Sequence, residues 1–215
     1  MTTAQEHEIP AAILRSPIMR QGGFGAYDGM IDANLVGQLR AEAARNFRDA
    51  VPQTCDCDDY AEGRGGTPRR SLLTAEGGAV QDDIYRSPAF SESLSDTCGL
   101  HVVPSGNRGS FSYYARPGDF LGLHRDVEAC DLAVITGLHD DSAPTELSGA
   151  LVVYPDRVLE PLSAIRARPS DGAQAVKLRV GETVVLLGGI LPHLVMPVRD
   201  GQMRIISVMC FRALY

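Results

Sequence analysis

Phe120-Leu121-Gly122-Leu123-His124-Arg125-Asp126 is a short apolar run that ends on an imidazole and, two residues later, a carboxylate. Residues two apart on a β-strand project to the same side. Read as a strand, this stretch therefore presents His124 and Asp126 together and turns Arg125 away. A second stretch, Gly188-Gly189-Ile190-Leu191-Pro192-His193, places another imidazole at the opening of a strand, just after a tight bend. Arg204 lies one strand further on, among Ile205, Ile206, Val208 and Met209.

Around these two stretches the chain has one character. From about residue 100, short runs rich in Val, Ile and Tyr alternate with Gly, Pro and Asp turns. Strands are expected at 110–116, 120–125, 131–138, 149–154, 176–180, 183–187, 193–198 and 203–212. Many short strands with turn signals between them suggest a sandwich or jelly-roll barrel. Gly181-Glu182 marks one tight turn. Arg199-Asp200-Gly201 marks a hairpin, because Asp-Gly tolerates the positive φ such turns need. Before residue 100 the pattern is mixed. Asp32 is a suitable N-cap for a helix at about 33–48, and Ser87-Pro88 opens a short helix at 88–98. Residues 51–81 hold Gly63, Gly65, Gly66, Pro68, Gly77 and Gly78 and read as a long loop or lid. Residues 1–30 read as a short strand and loops. The expected organisation is one domain over 1–215: a helical and lid part at about 1–100, and a β-core at about 100–215.

Bulk properties narrow the function. The 215 residues can bury a sizeable core, and 44% apolar with 22% charged residues is ordinary for a globular protein. The net charge of -7 disfavours a nucleic-acid or anionic-membrane partner, since both reward a basic surface. No apolar run is long enough to span a bilayer, and the polar Met1–Ile9 stretch does not resemble a signal peptide, so a cytoplasmic location is expected. The five cysteines, Cys55, Cys57, Cys98, Cys130 and Cys210, form no regular framework and read as free thiols. Cys130 and Cys210 read as buried core thiols. Cys55-Asp56-Cys57 could be half a zinc site, but no second pair stands at ligand spacing.

Two imidazoles and one carboxylate are the ligand types of the facial triad that leaves positions open on Fe(II). A buried Arg204 needs an anionic partner. Its own strand and the preceding one offer none, so the candidates are a ligand carboxylate held in bidentate fashion or a distant acid such as Glu182.

The order His124-x-Asp126, His193, Arg204 resembles the Fe(II)/2-oxoglutarate-dependent oxygenases of the double-stranded β-helix fold, most closely their prolyl-4-hydroxylase-like branch. The resemblance covers roughly 110–212. Pro117-Gly118-Asp119-Phe120-Leu121 looks like the family's approach to its first histidine. Ser148-Gly149-Ala150-Leu151 resembles its Gly-Gly-x-Leu strand, with Ser for the first Gly. Val180-Gly181-Glu182-Thr183-Val184-Val185-Leu186 resembles the turn and strand before its distal histidine, and Pro197-Val198 and Gly201 precede the arginine as in the family. Many members carry a serine two residues after that arginine. Here Ile206 stands there, and Ser207 falls on the opposite strand face. The N-terminal half matches no named branch.

The resemblance implies a mainly β jelly-roll (double-stranded β-helix) core with flanking N-terminal helices. It implies Fe(II) held by His124, Asp126 and His193, and 2-oxoglutarate bound by Arg204 and Tyr114. It also implies O2 as oxidant and hydroxylation of an unactivated C–H bond, with release of succinate and CO2. A carboxylate at 126, where related halogenases carry a small residue, favours hydroxylation. Arg64, Arg69 and Arg70 could clamp an anionic substrate or could belong to a solvated loop; of these, Arg69 and Arg70 are the substrate candidates. The expected substrate is a small molecule such as an amino acid or natural-product intermediate, with a peptidyl or carrier-tethered residue as the alternative. A cupin-type metalloprotein without 2-oxoglutarate would want more histidines, commonly His-x-His. A β-sandwich binding module leaves the four polar residues in apolar strands unexplained.

Overall fold

A computed structural model describes residues 9–58, 64–107 and 109–215. The Met1–Ile9 reading, up to residue 8, and Gly63 of the loop reading lie outside them. In chain order the elements are α1 (Ala11–Leu14), α2 (Pro17–Arg20), β1 (Phe24–Tyr27), α3 (Ala33–Asn46), a 3-10 turn (Phe47–Asp49), β2 (Val51–Cys55), β3 (Arg70–Glu76), α4 (Ala79–Arg86), α5 (Pro88–Cys98), β4 (His101–Pro104), β5 (Ser110–Tyr114) and β6 (Phe120–His124). They continue with β7 (Leu132–Asp140), β8 (Leu151–Val153), a second 3-10 turn (Pro155–Arg157), α6 (Leu162–Ala167), β9 (Gln174–Val176), β10 (Thr183–Leu186), β11 (His193–Val195) and β12 (Arg204–Leu214).

All strand pairings among the described residues are antiparallel, in the order β1-β10-β7-β12-β5-β3-β6-β11-β8-β9, with β2 on β3 and β4 on β12. The sheet curls at the β3–β6 step into two facing halves. Inward residues from both halves, including Leu72, Tyr114, Ile135, Leu151, Val184, Val195 and Ile206, form one apolar cluster between them. The outer face of the larger half carries Tyr113, Leu132, Val134, Met209 and Phe211 and is covered by the helices through Leu39, Ile84 and Leu94. The outer face of the smaller half is covered by α6 through Leu162 and Ile165. This is the jelly-roll core with flanking helices, and the period-2 alternation of β12 follows from it: Ile206 faces the interior, Met209 and Phe211 the helices.

The helices form where their ends are satisfied. The Asp32 carboxylate accepts from the Asn34 N–H at 2.8 Å and opens α3. Ser87 caps α5, with Pro88 at its first position and Gly99 closing it at φ 64°. Gly78 precedes α4 and has no side chain to cap it. Buried Glu42 of α3 does so instead, accepting from the Val80 and Gln81 N–H groups at 2.8 and 3.0 Å.

Several readings of the sequence change: residues 1–30 hold α1 and α2 besides a short strand, and the strand expected at 176–180 is β9 at Gln174–Val176. Residues 51–81 are not one long loop: they contain the β2–β3 hairpin and the start of α4. The signal was missed because β3 packs apolar residues on both faces, Leu72 on the inner one and Leu73 and Ala75 on the helix-facing one, and such a strand shows no clean alternation. Cys130 and Cys210 are not free thiols but a disulfide, with Cys55, Cys57 and Cys98 outside it. No spacing rule announces the pair, since 80 residues separate its members and only the β7–β12 pairing brings them together.

Candidate metal centre

His124 is the last residue of β6 and His193 the first of β11, and the two are cross-strand partners. A register irregularity between His193 and Val195 accompanies the close Gly122–Arg69 backbone contact, where the Gly122 N–H donates to the Arg69 carbonyl at 2.7 Å. As a result His124 and Leu121, three residues apart, belong to the inward side, and Leu123 packs outward with α6. The imidazole centroids lie 4.2 Å apart. Asp126 follows directly, its N–H held by the Gly188 carbonyl at 2.8 Å. Arg125 turns away as expected and donates to the carbonyls of Ile190, Val158 and Glu160 at 2.8–3.0 Å, fastening the bend before His193.

Each imidazole has its Nδ1 against a carbonyl: His124 on Gly122 at 2.8 Å and His193 on Leu191 at 2.9 Å. A carbonyl only accepts, so Nδ1 carries the proton and Nε2 presents a lone pair. The two Nε2 atoms stand 3.5 and 3.7 Å from Asp126 Oδ1. One ligand atom from each residue lies within 4.8 Å of the other two. Asp126 Oδ2 is buried without a hydrogen-bond partner. Three ligand-type atoms therefore converge on one point, which is costly unless a cation sits there. The residues present fit a divalent ion with two nitrogen ligands and one oxygen ligand, and the backbone carbonyls fix both rings for the task.

The charges agree. Burial raises the Asp126 pKa, but His193 and His124, with a contribution from Arg64, outweigh it and hold the carboxyl below its usual range. Burial and then neighbouring His124, opposed by Asp126, push His193 down to about 4, so its ring is neutral at pH 7. Gly188 is required here. A Cβ on it would stand 1.8 Å from Asp126 Oδ2.

Arg204 opens β12 opposite Tyr114 of β5 and Asp140 of β7. Its guanidinium carbon lies 5.1 Å over the Tyr114 ring, and its Nη1 is buried without a hydrogen-bond partner. Glu182, the alternative partner from the sequence, pairs with Arg179 instead. The neighbouring Asp140 is engaged by Lys177 at 2.8 Å, Ser142 and Gln202. Gly149, at φ 69°, lets the backbone pass close by, since a Cβ there would come within 2.9 Å of the Arg204 side chain. Burial raises the Tyr114 pKa, against the pull of Arg204, so the phenol keeps its proton. Ser207 is fully buried on the helix-facing side and accepts from Gln81 at 2.7 Å, so Ile206 is the inward residue.

Arg70 and Arg69 part company. Arg70 sits on the same β3 face as inward Leu72 and opposite Leu121, and its Nε is buried without a hydrogen-bond partner. Arg69 is exposed, and its backbone joins β6 and Asp58. Arg64 is locked against the segment that follows Asp126. His101 is exposed on β4, and His139 lies 3.0 Å from Asp141, away from the triad. Sequence reasoning read Gly188-Gly189 only as a bend and did not find its fit to Asp126 and Arg64, because closeness to a side chain on another strand leaves no periodic trace.

No protein-family model matches the chain, and no curated protein does. Solved structures match over most of its length. A prolyl-4-hydroxylase from Pseudomonas putida is 20% identical, with 92% of this chain and 96% of that one covered at a TM-score of 0.59. A 2OG-Fe(II) oxygenase family oxidoreductase from Burkholderia pseudomallei is 15% identical, with 90% and 87% covered at 0.63. HygX from Streptomyces hygroscopicus, with nickel, 2-oxoglutarate and hygromycin B bound, is 12% identical, with 94% and 87% covered at 0.58. The fold of this chain is the one these oxygenases share.

Proposed function

We propose that this chain is a Fe(II)- and 2-oxoglutarate-dependent dioxygenase that hydroxylates an unactivated C–H bond of a small molecule, releasing succinate and CO2. One observation carries the reading: His124, Asp126 and His193 aim three lone pairs at one point, while Arg204 keeps an unbonded buried N–H on the same inner surface. Iron bound by these three residues would supply open coordination positions and the redox chemistry that couples decarboxylation of the co-substrate to oxidation of the substrate.

The chain's residues have distinct parts in this reading. Arg204 takes the far carboxylate of 2-oxoglutarate in bidentate fashion, which ends the cost of its unpaired burial. Tyr114, kept protonated by burial, donates a hydrogen bond to the same co-substrate. Leu72, Leu191, Val195 and Ile206 exclude water around it. Arg70 holds an anionic group of the prime substrate, because it is an inward guanidinium with a buried N–H left over. Asp126 fills the carboxylate position, which favours hydroxylation. A small-molecule substrate is supported by HygX, whose structure holds hygromycin B.

Anaerobic addition of Fe(II) and 2-oxoglutarate should produce the weak visible absorption band of an iron–2-oxoglutarate chelate. His124→Ala and Asp126→Ala should lose it. No band in the wild-type protein would leave a cupin-type metal site or a binding module instead. Arg70→Met should keep the band and lose at least tenfold in apparent affinity for an anionic substrate.

A further inference from the structure

Arg64 donates no atom to the ligand set, yet its guanidinium is committed to the turn that carries Asp126. Its Nη1 pairs with Asp131 Oδ1 at 2.7 Å, and its Nη2 donates to the carbonyls of Val127 at 2.7 Å and Glu128 at 3.1 Å. Its Nε reaches the carbonyl of Asp126 itself at 3.4 Å. The guanidinium rests on Gly189, where a Cβ would stand 2.6 Å from its central carbon. Two adjacent glycines thus serve one purpose: Gly188 admits the Asp126 carboxylate and Gly189 admits Arg64.

The far end of the turn is fastened differently. Cys130 is disulfide-bonded to Cys210 of β12, and Asp131 Oδ2 accepts from the Ala213 N–H at 3.0 Å. The near end is held by the Asp126–Gly188 backbone bond, by the neighbouring Arg125 and by Arg64. Arg64 itself belongs to the connection between β2 and β3, far from this turn in sequence.

We propose that Arg64 is a positioning residue for the metal centre: it sets the Asp126 ligand and ties the placement of the β2–β3 connection to metal binding. This rests on the metal-centre reading above. Removing the guanidinium takes away four hydrogen bonds that tie residues 126–131 to Arg64, and the turn loosens at the Asp126 end although Val127 still accepts from the Cys130 N–H. Outer partners of metal ligands typically change metal affinity by about 10–100-fold. Coupling is reciprocal, so an ion that steadies Asp126 also steadies the Arg64 contact and the chain around it.

The test uses Co(II), by calorimetry and by its visible spectrum, on the wild-type protein and on Arg64→Met, Arg64→Lys, Gly189→Ala and His124→Ala. Gly189 is not among the glycines with positive φ, so Gly189→Ala displaces the guanidinium without forcing a left-handed backbone, and it carries the test should Arg64→Met fail to fold. Arg64→Met and Gly189→Ala should weaken Co(II) at least tenfold and alter its spectrum, with Arg64→Lys recovering part of the loss. Hydrogen exchange at residues 64–69 should slow on Co(II) addition in the wild type and not in Arg64→Met. Wild-type affinity and spectrum in Arg64→Met or Gly189→Ala would overturn the role of Arg64 alone. Wild-type Co(II) binding in His124→Ala would instead overturn the metal-centre reading.

Discussion

At the scale of single residues, the site is defined by polar atoms left without partners. Arg204 is 3% exposed, and the acid beside it, Asp140, is already paired with Lys177. An arginine in that state is prepared for an anion. Arg204→Met is therefore expected to weaken 2-oxoglutarate binding by about 2–5 kcal/mol while Co(II) affinity stays near wild type. Calorimetry on the Co(II)-loaded protein checks both, and unchanged 2-oxoglutarate affinity would remove the co-substrate role. The free cysteines give a second residue-level expectation. Cys98 is fully buried, and burial pushes its thiol up to about 12. Iodoacetamide at pH 8 should label Cys55 and Cys57 and spare Cys98 in the native state, because the thiolate is the nucleophile. Labelling of Cys98 at the rate of the others would contradict its packing.

At the scale of elements, what matters is which strand ends meet. β6 ends and β11 begins on the two histidines, so the antiparallel pairing of the strands is itself what brings the imidazoles together. The helices support this from behind the larger half of the sheet. Glu42 links two of them by accepting both N–H groups at the start of α4. Glu42→Ala leaves those buried donors unpaired and should cost about 1–3 kcal/mol, read as a lower urea midpoint at unchanged slope. Metal affinity should not change, since α3 and α4 pack on the outer face. A loss of Co(II) binding in this variant would show that the helix layer reaches the site. Sequence periodicity located α3 and α5 well because both have side-chain caps and apolar spacing. It missed β2, which is largely exposed and carries no apolar alternation, β3, whose apolar residues pack on both faces, and the short α1, α2, α4 and α6, which offer too few turns to show a period.

At the scale of the whole molecule, one antiparallel sheet is curled on itself and closed by contacts between residues far apart in sequence. The Cys130–Cys210 disulfide spans 80 residues and joins the turn after Asp126 to the last strand. A cross-link over a loop of this length typically contributes about 2–4 kcal/mol. The Cys130→Ala/Cys210→Ala pair should lower unfolding free energy by that order, and intact-mass analysis before and after reduction counts the bond directly. A wild-type protein with no mass change on reduction would exclude it. The sequence by itself determined the β-rich second half, the inward side of Arg204 and the helix at 88–98. These follow from local rules, namely strand alternation, capping and turn chemistry, that act over a few residues. Only the tertiary structure decided that His193 stands opposite His124, that the two sulfurs meet, and that Arg64 leaves its hairpin to brace the ligand turn. Those outcomes depend on how the sheet curls and on which backbones can approach closely, and a linear pattern of residue types does not encode either.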